Sequence, residues 1–122
     1  MSAVCLQVCV LCSEGEPADA VPAGRRLYEA LQAAAAELPE IEVEAVDCFA
    51  VCDRPVTLAF RAPRKWSYLI GGAGAGDLDD ILTAAAAVAA SPHGIPAMED
   101  RPPFFRDGVI ARLPPPTGAS DQ

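Results

Sequence analysis

The sequence predicts an α/β domain: a mixed four-stranded sheet, two main helices and an irregular, Pro-rich C-terminal tail. Three observations carry this expectation. An apolar strand, a helix and an alternating strand follow one another between Val4 and Val46. Two further alternating runs are joined by a short link at Pro63-Arg64. A second helical pattern then follows a glycine-rich break, Gly71 to Gly76.

Val4 to Val10 is β-branched and apolar at both ends, as a buried strand is. Ser13 to Pro22 reads as a polar loop containing Gly15 and Pro17. From Ala23 to Leu38 the spacing predicts a helix, with Leu27, Tyr28, Leu31, Ala34, Ala35 and Leu38 on one face. Pro22 fits its first turn and Pro39 stops it. "IEVEAV", Ile41 to Val46, alternates and so presents one apolar face as a strand. Strand, helix, strand makes a right-handed βαβ unit with parallel strands.

Val56 to Ala62 and Lys65 to Ile70 alternate again, the second with Trp66, Tyr68 and Ile70 on one side. The short link makes them an antiparallel hairpin. Asp77 is placed to cap a second helix, Leu78 to about Ala90, with Ile81, Leu82, Ala85 and Val88 inward. This order of elements is the thioredoxin-like plan. It assigns residues 1–92 to a thioredoxin-like domain and residues 93–122 to a Pro-rich extension packing on it. In that extension Phe104, Phe105, Val109 and Ile110 are expected to pack on the sheet or cover its edge. The alternative is a docking surface for a partner or a second copy of the chain. Pro114 to Pro116 read as extended polyproline and Thr117 to Gln122 as a disordered end.

The chain has 122 residues, one domain's worth, and a formal net charge of -8, which disfavours nucleic acid and anionic membrane as partners. No stretch approaches the length of apolar residues that spans a bilayer. Met1 to Val10 has no basic region of the kind that opens a signal peptide. The expected location is therefore the cytoplasm. Structural disulfides are rare there, so clustered cysteines lean towards metal or redox chemistry.

Of the five cysteines, four form two pairs. Cys9 and Cys12 close the first strand; Cys48 and Cys52 follow the second. Neighbouring parallel strands end on the same side of a sheet, so the pairs can meet although about 35 residues separate them. Four thiolates at a sheet edge make a metal site, and thiolates are soft donors suited to iron–sulfur centres and to zinc. Tight turns also leave backbone N–H groups free to hydrogen-bond to sulfur. Cys5, mid-strand, reads as a small buried hydrophobe.

"VCVLC", "DCFAVCDRPVTLAF", "KWSYLIGG" and "RPPFFRDGVIARLPPP" together resemble a family of small bacterial proteins labelled predicted metal-binding, or a domain of unknown function. That family is grouped with the thioredoxin-like 2Fe–2S ferredoxins. The resemblance covers nearly the whole chain and is most specific from Cys48 to Pro55. It implies that Cys9, Cys12, Cys48 and Cys52 are the metal ligands and that the cofactor is a 2Fe–2S cluster. The first pair departs from the better-known thioredoxin-like ferredoxins, whose first two cysteines lie much further apart. The resemblance also places Pro55 where thioredoxin-like folds often carry a cis proline.

The first reading is thus a ferredoxin-like electron carrier or redox-sensing module that does no chemistry on a substrate. Its expected partners are a redox partner protein and, as an option, a second copy in a homodimer. Arg54 would favour the reduced, more negative cluster, or is simply a solvated loop residue. A structural zinc site in an interaction module is the second reading. A thiol–disulfide oxidoreductase is the third. It suffers because about ten loop residues part Cys12 from the helix whose dipole would activate a nucleophile. It also leaves Cys48 and Cys52 unexplained. His93 is the only histidine, which excludes a Rieske centre with two His ligands, and it reads as a surface residue. "GGAGAGD" matches no phosphate-loop spacing and reads as a flexible turn. Asp79 and Asp80 fit the first turn of a helix, where the dipole favours acids.

Overall fold

The apolar strand that opens the chain becomes the middle of the sheet. The computed structural model describes residues 4–12, 15, 17, 19–50 and 54–115. Strand β1 (Val4–Cys9) pairs in parallel with β2 (Ile41–Val46), in register from Val4 opposite Ile41 to Cys9 opposite Val46. On its other side β1 pairs antiparallel with β3 (Leu58–Arg61), which forms a hairpin with β4 (Ser67–Ile70). β3 is shorter than the expected run at both ends and β4 at its start only, ending at Ile70 as expected, and Arg64 makes the turn at φ +61°.

The sheet has five strands, not four. β5 (Val109–Leu113) pairs antiparallel with β4, giving the order β2-β1-β3-β4-β5. The backbone groups of β4 would otherwise face outward as an open edge, and β5 satisfies them. Its register slips between Leu69 and Ile70, a bulge that accompanies its entry.

Helix α1 (Ala23–Ala34) follows Pro22, which sits at its N-cap, and tightens into a 3-10 turn over Ala35–Glu37 instead of running on to Leu38. Leu27 and Leu31, one helical turn apart, are buried. Helix α2 (Leu78–Ala90) buries Ile81, Ala84, Ala85 and Val88. The Asp77 carboxylate does not cap α2; it accepts the backbone N–H of Gly74 at 2.9 Å across the preceding turn. Helix α3 (Pro103–Asp107) places Phe105 in the core, its ring 4.7 Å from that of Tyr68 and 5.3 Å from that of Phe60.

The period-2 pattern of the strands sorts the sheet into two unlike faces. Val4, Leu6, Val8, Leu58, Phe60, Tyr68 and Ile70 are buried with the apolar sides of α1, α2 and α3 in one core. The other face carries Cys5, Gln7, Glu42, Glu44, Arg61 and Leu69, half-buried or exposed. Among the described residues no helix is long and apolar enough to cross a membrane.

Candidate metal centre

The site begins where β1 stops. Cys9 is the last residue of the strand, and its N–H donates to the Thr57 carbonyl at 3.0 Å. The chain then turns, with the Cys12 N–H reaching back to the Cys9 carbonyl at 3.4 Å. The N-terminus of α1 is seated on this turn. The Gly24 N–H donates to the Cys12 carbonyl at 2.9 Å, and a Cβ on Gly24 would fall on the Cys9 carbonyl oxygen. The ten-residue separation in sequence therefore does not separate helix and cysteines in space.

Cys9 and Cys12 are both buried, at 3% and 6% exposure, and their thiols are neighbours. Cys9 Sγ lies 3.5 Å from the Asp47 carbonyl, and Cys12 Sγ lies 3.8 Å from Thr57 Oγ1. Burial, with the neighbouring Cys9 thiol adding to it, pushes the Cys12 thiol up to about 11. A dithiol nucleophile needs the opposite shift.

The second loop leaves β2 beside Cys9. Asp47, whose carbonyl touches the Cys9 sulfur, immediately precedes Cys48, which is exposed. Ala50 adopts φ +66°, and its N–H donates to Cys48 Sγ at 3.1 Å. Phe49, between them, is half-buried against the core. The structure thus brings Cys9 and Cys12 together and sets Cys48 on the adjoining loop. Among the described residues, no three His, Cys, Asp or Glu side chains form one metal-binding cluster. Cys52 lies outside the described residues, as do Pro116 and the expected disordered end, Thr117 to Gln122.

The donor set fits a thiolate-held group. Three described thiols stand at or beyond the C-terminal ends of the paired strands β1 and β2, two buried and one at the surface, and a backbone N–H is already directed at the exposed sulfur. Backbone donors of this kind orient and tune thiolate ligands. Any metal entering must displace the protons of these thiols.

Other residues singled out in the sequence fall elsewhere. Cys5 is half-buried on the helix-free face, opposite Glu42 on β2 and Arg61 on β3. Arg54 is half-buried, and its carbonyl accepts the Gly72 N–H at 3.0 Å. The cis peptide among the described residues joins Pro55 to Val56, so it follows the proline instead of preceding it. His93 is exposed. The glycine-rich segment is tied down, with Ala73 and Val56 exchanging backbone hydrogen bonds of 3.1 and 2.9 Å. Asp79 and Asp80 lie exposed in the first turn of α2. Sequence reasoning passed over Gly24, Ala50 and Thr57. Gly24 alone left a signal, a glycine inside a helix where alanine is favoured.

A family model described as "Protein of unknown function (DUF1636)" matches residues 6–115, and the chain belongs to that family. No curated protein matches. Among solved structures, a thioredoxin-like 2Fe–2S ferredoxin from Aquifex aeolicus superposes with a TM-score of 0.60 at 14% identity. The match covers 96% of this chain and 98% of that one. The fold is thioredoxin-like.

Proposed function

We propose that this protein is a ferredoxin-like electron carrier holding one 2Fe–2S cluster through Cys9, Cys12, Cys48 and Cys52. The observation that carries the reading is the hydrogen bond from the Ala50 N–H to Cys48 Sγ, made one residue beyond the Asp47 carbonyl that touches Cys9 Sγ. It supplies an exposed sulfur, backed by a backbone donor, beside a buried thiol pair. The solved structure of like fold is itself described as a 2Fe–2S ferredoxin, which supports the same cofactor here.

Bound there, such a centre supplies a one-electron couple. The chain's own residues divide the remaining work. Cys9 and Cys12 sit on the rigid end of β1, locked by Thr57 and Gly24. Cys48 stands at the surface, where a redox partner protein would approach. The acidic charge of the chain suits a basic partner. A second copy of the chain is the other partner this reading allows, and the cytoplasm is its expected compartment.

The test is a set of single Cys→Ser variants, purified without oxygen and assayed for iron and sulfide. Loss of both from C9S, C12S, C48S and C52S, with C5S retaining them, is the expected pattern. Equal retention in C48S and C5S contradicts the ligand assignment.

A further inference from the structure

At the opposite end of the sheet from Cys9, Cys12 and Cys48, the β3–β4 hairpin walls a hollow of about 270 Å³. Its lining includes Cys5, Arg61, Arg64, Lys65 and Ser67. The chain has 9 Lys and Arg against 17 Asp and Glu, yet three cationic residues, Arg61, Arg64 and Lys65, line this hollow. They are not equivalent. The Lys65 ammonium is committed to the end of α2, donating to the Ala89 carbonyl at 2.8 Å and to the Val88 carbonyl at 3.4 Å. It anchors the hairpin. Arg61 and Arg64 are exposed, and neither has an ion-pair partner among the described residues.

Among the described residues no acid lines the hollow, although Glu42 stands opposite Cys5 across the β1–β2 pair. Glu42 and Glu44 lie on β2, with β1 between them and β3, and Glu44 already accepts from Gln7 Nε2 at 2.7 Å. Arg61 and Cys5 face each other directly across the β1–β3 pair. Arg61, Arg64, Cys5 and Ser67 therefore line one small space.

We propose that this hollow is a binding site for a small oxyanion, a carboxylate or a phosphate monoester, held by Arg61 and Arg64. The planar guanidinium matches both groups through paired N–H donors. The volume lies below the range of most ligand pockets, which suits a small anion. Lys65 holds the hairpin in place and Ser67 supplies a further hydroxyl donor. Four residue steps along the strand, about 13 Å, part Cys5 from Cys9. The site shares no residue with the metal centre, so its test is independent of that reading.

The experiment titrates the full-length protein as purified with inorganic phosphate and, separately, succinate, at ionic strength held constant with sodium chloride. Amide chemical shifts provide the readout. Saturable shifts confined to Cys5 and Arg61–Ser67 are expected with at least one of the two anions. R61Q and R64Q should each weaken that binding about tenfold, as loss of a charged hydrogen bond does. R106Q, at an exposed arginine on α3, should leave it unchanged. Shifts that never saturate, shifts spread over every arginine, or unaltered affinity in R61Q and R64Q would overturn the proposal.

Discussion

Gly24, in the first turn of α1, lies directly against the carbonyl of Cys9, with no room between them for a methyl group. A helix start and a cysteine turn are thereby locked together across fifteen positions of sequence. Gly24→Ala must push the two apart. Overpacking of this kind costs about 1–3 kcal/mol. A lower chemical-denaturation midpoint, together with reduced metal retention, is the expected outcome. An alanine variant as stable as the native protein would show that the turn yields freely.

Ala50 makes a different contribution, through its backbone. At φ +66° it directs its N–H at Cys48 Sγ. Proline has no N–H and is held near φ −65°. Ala50→Pro should therefore lose bound metal under conditions where the native protein keeps it. Ala50→Gly should retain it, because glycine adopts positive φ without a Cβ penalty. Metal content after passage over a chelator separates the two variants.

These two residues mark where the sequence stops being legible. The βαβ unit and the ends of α2 could be read from periodicity, since Ile41–Val46 alternates cleanly and Leu78–Ala90 is bounded by Asp77 and Ser91-Pro92. β5 could not be read as a strand of the sheet. "VIARL" follows a proline-rich stretch and shows no clear alternation, and only the open edge of β4 gives it a partner. The end of α1 was hidden by "AAAA", which suits an α-helix and a 3-10 turn equally. At the site, the spacing of the cysteines and the parallel strands brought Cys9 near the Cys48 loop. The seat of α1 on Cys9 was invisible because it is a long-range contact of backbone with backbone. The positive φ of Ala50 was invisible because alanine is not the residue that announces it.

Cys5 gives the chain a pH signature. Burial, with the charges of Glu44 and Glu42 adding to it and Arg61 opposing it, pushes its thiol up from 9.0 to about 11. The folded thiol then holds its proton more tightly than the unfolded one. Its stabilising contribution is complete below about 9 and is lost as pH rises through about 11. Denaturation midpoints of native protein and Cys5→Ser, compared from pH 7 to 11, should converge or cross only in the upper part of that range. A constant difference at every pH would contradict the shift.

Phe105 tests what the chain beyond His93 contributes. It is fully buried, at 0% exposure, between Phe60 and Tyr68. Phe105→Ala should cost about 3–5 kcal/mol of unfolding free energy. A loss well below 1 kcal/mol would mean that α3 adds little to the core.

The central claim is that these cysteines hold a redox cluster. The most direct measurement is the absorption spectrum of protein purified without oxygen, with iron, sulfide and zinc assayed on the same sample. The account predicts visible charge-transfer bands that bleach with dithionite, and iron and sulfide in equal amounts. A colourless protein carrying stoichiometric zinc, which takes up no iron and sulfide on anaerobic reconstitution, would contradict it.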